Sequence, residues 1–142
     1  MTKEVNDKTQ QSNQLVNELD SFIGDLVRYR HPLNRSVIYT PGAKHLAEKA
    51  EAYWLIDAIA SWIGTEAFLD GKKKDSRVGD WHVWELNVNR VDSTAVLEAK
   101  VDCNVEPFIV QSIPFTDFPL DKIEIWAGFD GENWTLYLPS EH

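Results

Sequence analysis

The 142-residue chain is poor in the residues that staple or metallate small domains, with one cysteine, Cys103, and four scattered histidines. A lone cysteine excludes an internal disulfide framework and any multi-cysteine zinc site. No apolar run reaches the ~18 residues that a membrane span needs, and the polar stretch from Met1 to Gln14 lacks the apolar core of a signal peptide. Positive charge is scarce too: 14 Lys and Arg stand against 23 Asp and Glu, a formal net charge of −9. From Asp102 onward there are eight acidic residues and one basic residue, Lys122. Such a surface cannot neutralise a phosphate backbone, so direct nucleic-acid binding is not expected. It can steer a basic protein partner, or simply keep the domain soluble. There is no Walker loop, no G-x-G-x-x-G, no H-E-x-x-H and no G-x-S-x-G. A soluble cytoplasmic protein without cofactor or metal is the expectation.

What is present is one domain's worth of patterned sequence. Residues 1–13 read as a disordered tail and 14–142 as a single α+β domain. Leu15, Leu19, Phe22, Ile23, Leu26 and Val27 recur at helical spacing, and His31-Pro32 ends that helix. Val37 to Tyr39 suits a short strand. Thr40 then offers an N-cap and Pro41 a first helical residue. From there the pattern predicts one helix of about 23 residues and ~35 Å, running to Gly64 and apolar all round from Ala52 to Ile63.

Gly71 to Gly79, with Lys72-Lys73-Lys74, reads as a charged loop. Strand-period alternation follows at Trp84–Asn89, Thr94–Val101, Phe108–Ile113, Lys122–Ala127 and Trp134–Leu138, with a turn at Val91-Asp92-Ser93 and a hairpin signal at Asp130-Gly131. The expected fold is two N-terminal helices packed on one face of a roughly five-stranded antiparallel meander.

Few residues stand out chemically. Asp57 lies among Tyr53, Trp54 and apolar neighbours, where a carboxylate must find hydrogen-bond partners or act as a general acid or base. Both readings are open, as is a pairing of Asp57 with Asp117. Asp117 belongs to Thr116-Asp117-Phe118-Pro119, a segment that reads as a structured turn pinned by Phe118 and Leu120. His45 and Glu48 have a spacing that a metal could use, although an ordinary surface pair has it too. Cys103 has no base beside it in sequence, and His82, between Trp81 and Trp84, reads as a packed or half-exposed side chain. Of six tryptophans, Trp126 faces away from Ile123 and Ile125 and sits beside Glu124. With Asp121, Asp130 and Glu132 it forms the candidate protein-binding surface.

Four segments together carry a resemblance: Tyr39-Thr40-x-Gly42; Leu46-Ala47-Glu48 through Tyr53-Trp54-Leu55-x-Asp57 to Ala60-Ser61; Ile113-Pro114-Phe115-Thr116-Asp117-Phe118-Pro119-Leu120; and Leu138-Pro139-Ser140-Glu141. From Leu19 to Glu141 the chain resembles a small bacterial family of unknown function, whose members resemble genes of phages, plasmids and other mobile elements. That resemblance implies no reaction. The acidic sheet-side surface and Trp126 set the expected function as a non-enzymatic acidic protein-binding module, and the mobile-element resemblance points to a counter-defence inhibitor of the anti-CRISPR kind. A small-molecule site or enzyme around Asp57 is the alternative. Surplus aromatic surface also leaves a homodimer open.

Overall fold

A computed structural model describes residues 12–20 and 27–142. Helix α1 covers residues 12–20, followed by β1 (Tyr29–Arg30), β2 (Val37–Tyr39), α2 (Pro41–Lys49), α3 (Tyr53–Trp62) and α4 (Glu66–Lys74). A 3-10 turn (Ser76–Gly79) leads into β3 (Trp81–Asn89), β4 (Thr94–Lys100), β5 (Ile109–Ile113), β6 (Lys122–Phe129) and β7 (Trp134–Tyr137), and a second such turn spans Pro139–Glu141. The expected α+β class holds, but among the described residues the sheet has seven strands rather than five and is mixed. Its order is β1-β2-β7-β6-β3-β4-β5, with β2 parallel to β7 and every other pair antiparallel. Nor is it a simple meander. The chain leaves edge strand β5 and returns beside β3, giving the order β6-β3-β4-β5 of a Greek key.

The returning strap is the Ile113–Leu120 segment. Phe118 and Leu120 are buried, Thr116 N–H donates to Ser93 O at 2.8 Å, and Thr116 Oγ1 accepts from Phe118 N–H at 3.2 Å. The strap is thereby tied under the β3–β4 turn.

The long helix is two helices. Ala52 N–H reaches back to Ala47 O at 2.8 Å and Glu51 N–H to Glu48 O at 3.4 Å, the paired bonds of a Schellman stop. Glu51 occupies the left-handed position, with φ 51°. Nothing in the sequence announces this break, because every residue across it is a good helix former. Packing imposes it, folding α3 back so that Leu55, Ile56, Ile59 and Ala60 enter the core. The expected all-round burial is therefore corrected: Tyr53, Asp57 and Ser61 line an exposed stripe. A left-handed non-glycine residue costs about 1–2 kcal/mol. Glu51→Gly should accordingly raise stability by roughly 0.5–1 kcal/mol after glycine's own entropy cost, as a urea titration would show.

The charged loop is also corrected. Thr65 Oγ1 caps α4 by accepting from Phe68 N–H, and Lys72, Lys73 and Lys74 fill its last turn, where cations complement the helix dipole. Gly71 lies within that helix because the Phe108 ring would come within 2.8 Å of any Cβ there. At the N-terminal side, residues 12 and 13, expected in the tail, are already helical, and Ser12 Oγ donates to Pro119 O at 2.8 Å. The expectations for residues 1–11 and for Phe22, Ile23 and Leu26 lie outside the described residues. Helix does not continue to His31, since Tyr29 and Arg30 pair with β2 instead.

One sheet face forms the core. Val37, Trp84, Leu86, Leu97, Ala99, Ile125, Ala127 and Leu136 interlock with Ala43, Leu46, Leu55, Ile56 and Ile59. Burial of this alternating set is the main favourable term in the fold. The opposite face carries the other half of each strand and contributes nothing to that cluster.

Candidate functional site

The second sheet face, uncovered by any helix among the described residues, is organised by register. Glu85 lies directly opposite Glu98 on β4 and Glu124 on β6, so three carboxylates stand in one row across three strands. Cross-strand like charges repel. Two lysines offset this: Lys100 Nζ lies 3.6 Å from Glu85 and 3.4 Å from Glu98, and Lys122 Nζ lies 3.4 Å from Glu85. Burial pushes the Glu85 carboxyl up, but the Asn87 amide and the two lysines hold it below its usual range. Glu124 has no ion-pair partner among the described residues and is half-buried. It presents an unneutralised carboxylate at the end of the row.

One row along, β6 and β7 place Trp126 opposite Val83 and Tyr137. The Trp126 ring meets Trp81 edge-on at 5.2 Å, Tyr137 at 6.0 Å and His142 at 5.1 Å. Trp81 Nε1–H donates to Tyr137 Oη at 2.9 Å, and Tyr137 Oη lies 3.2 Å from His142 Nδ1. Burial pushes the Tyr137 phenol up despite the bond from Trp81. The Trp126 indole N–H has no acceptor among the described residues. Trp and Tyr are among the residues enriched at binding hot spots in general.

The candidate surface residues do not all share this face. Trp126 and Glu124 lie at its centre. Asp121 and Asp130 flank opposite ends of β6, about 30 Å apart at a strand's rise. Asp121 is 3.9 Å from Arg90. Asp130 closes the β6–β7 turn by accepting from Glu132 N–H and Asn133 N–H, and those donors, Asn133 first, hold its carboxyl below the usual range. Glu132 is an exposed residue of that turn.

Asp57 is not a buried carboxylate. Its side chain is 62% exposed and accepts from His31 Nε2 at 2.8 Å. Because His31 Nδ1 accepts the Leu33 and Asn34 N–H groups, the ring proton sits on Nε2. Beside it, Asn34 Nδ2 donates to Ala60 O and Ile63 O, tying the β1–β2 loop to the end of α3. Asp57 thus helps clip a loop to a helix. Asp57→Ala should cost about 1 kcal/mol, modest because the pair is partly solvated, and thermal unfolding would measure it.

The residues expected around Asp57 are dispersed. Tyr53 is exposed, its hydroxyl bonded to Glu48 at 3.2 Å, and Trp54 packs half-buried on the core. Asp117 sits in the strap beside the β3–β4 turn, which β7 and β6 separate from β2 in the sheet. The structure does not bring Asp57 and Asp117 together. His45 bonds Glu18 at 2.6 Å rather than acting with Glu48, and no group of three potential metal ligands occurs among the described residues.

Sequence reasoning missed a cleft of about 580 Å3 between α4 and the β4–β5 connection, walled by Gly71, Val78, Val101, Val105 and Phe108. Asp57 is not among its walls. The Glu85–Glu98–Glu124 row was missed as well, since only non-local register creates it.

The four motif segments are resolved by the same geometry. Tyr39–Gly42 and Leu138–Glu141 are one contact: the Glu141 carboxylate accepts from Thr40 Oγ1 at 2.5 Å, Leu138 N–H at 2.9 Å and Gly42 N–H at 3.3 Å. The Leu46–Ser61 segment is the α2–α3 corner, and Ile113–Leu120 is the strap. No helix among the described residues is long and apolar enough to cross a membrane. No curated protein and no solved structure matches the chain. Residues 13–142, which include all four segments, match the family of unknown function DUF6876, and the chain belongs to that family.

Proposed function

We propose that the protein is a non-enzymatic, acidic protein-binding module that docks a basic partner on its uncovered sheet face. The observation that carries this reading is the pairing of the glutamate row, ending in the free Glu124, with the Trp81–Trp126–Tyr137 cluster. Aromatics there supply contact area at low entropy cost, while the row attracts positive charge and sets orientation. The net charge of −9 favours the same class of partner. The resemblance to chains carried on mobile elements supports counter-defence as the setting, with inhibition of a host defence protein as the activity.

A binding role and a folding role predict opposite outcomes at Glu124. Glu124→Lys removes like-charge repulsion, so stability should hold or rise by roughly 0.2–1 kcal/mol. Capture of the partner from host lysate should nonetheless fall at least tenfold, and Trp126→Ala should reduce it similarly. Undiminished capture by both folded variants would remove this face from consideration.

The alternative is a small-molecule site, for which the α4–β5 cleft gives better support than Asp57. Its volume lies in the ordinary ligand range.

A further inference from the structure

The two edges of the sheet are built differently. The β1 edge is two residues long and carries Arg30, the short, charged form that discourages strand addition. The β5 edge is five residues, Ile-Val-Gln-Ser-Ile, and no charged residue occurs from Pro107 to Thr116. In a chain of net charge −9 this is a neutral window. Alternate residues of β5 turn backbone N–H and C=O groups away from β4, and no strand among the described residues receives them. Val110 is 56% exposed on the uncovered face, and Phe115, just past the strand, is 74% exposed.

From this edge we infer that the protein self-associates: a second copy adds antiparallel along β5, and the two sheets become one. The occupant follows from self-complementarity. A two-fold axis at Gln111 sets Ile109 against Ile113 and Val110 against Ser112 of the other copy, β-branched and small residues that suit a strand pair. No like charges meet at the seam, which is the condition a −9 chain must satisfy to pair with itself. The dimer would present two copies of the uncovered face side by side, and a multivalent partner would bind it with avidity.

Sedimentation of the full chain over a range of concentrations tests this. The expected result is a species of twice 16.3 kDa, tightening as salt rises from about 0.05 to 0.5 M and screens the net repulsion. Two variants at these exposed positions test the register. Val110→Lys with Ser112→Lys, and Val110→Glu with Ser112→Glu, should each be folded monomers by circular dichroism. Mixed in equal amounts, they should recover dimer, because each lysine then meets a glutamate. A wild type that stays monomeric throughout would overturn the inference. Both variants remaining dimeric would place any interface elsewhere, and a mixture that fails to pair would contradict the register. Amide exchange at residues 109–113 that slows as concentration rises supports pairing through this edge; slowing at β1 alone would refute it.

Discussion

Acidification from pH 7 to pH 4 should remove about 3 kcal/mol of stability through one imidazole, His82. The ring is fully buried on the core side of β3, packed by Phe68, Trp84, Phe108 and Trp134. Its Nδ1–H donates to Val78 O at 3.0 Å, and Nε2 has no partner among the described residues. Burial pushes its pKa down to about 4, against 6.5 for an ordinary histidine, with the Val78 carbonyl opposing weakly. The unfolded chain therefore takes up a proton near pH 6.5 and the folded chain only near pH 4. The contribution is complete above pH 6.5 and drains away as pH falls through that window. Glu18, Asp75, Glu85, Asp102 and Asp130 are held below the usual carboxylate range, so their losses begin only below it, at lower pH than that of His82. The upper part of the window distinguishes His82 from them. In urea titrations His82→Leu should flatten the slope between pH 6.5 and 4.5 relative to wild type. An unchanged slope would mean that His82 is not the group responsible.

Glu141→Ala should cost about 2–3 kcal/mol, large for a half-buried residue near the end of the sequence. The carboxylate satisfies three donors at once, and one of them, Gly42 N–H, belongs to the positive first turn of α2. Gly42 exists to admit it, because a Cβ there would lie 2.6 Å from Glu141 Oε1. Gly42→Ala in the wild type should therefore destabilise by displacing the carboxylate. In the Glu141→Ala background the same change meets no obstacle, and alanine's better helix propensity should make it stabilising by up to about 1 kcal/mol. That reversal of sign, read from a double-mutant cycle, is specific to the clasp. Additive effects would show that the two residues act independently.

Local chemistry was legible in the sequence where it alone determines structure. The alternation of β3, β4 and β6, the Asp130-Gly131 hairpin and the Thr40-Pro41 helix start needed no tertiary information. The α2–α3 break was hidden because Glu51 is an ordinary helix former driven into a left-handed turn by packing. Helix α4 was hidden by Gly71 and its lysine run, although the Thr65 cap was visible in retrospect. The β2–β7 pairing joins residues about a hundred positions apart, and no local pattern encodes it. The same reason explains the site. Trp126 and Glu124 stood out as neighbours, but the row that gives Glu124 its meaning depends on Glu85 and Glu98 arriving on two other strands. Asp57 drew attention because one helix was expected to be buried all round. Once the helix breaks, Asp57 faces water and His31.

Hydroxyl-radical footprinting of the protein with and without its captured partner tests the central claim most directly. The account predicts that Trp81, Trp126 and Tyr137 lose reactivity in the complex while Tyr53, on the exposed stripe of α3, does not. Protection confined to Tyr53 and its neighbours, with the sheet aromatics as reactive as in the free protein, would contradict it.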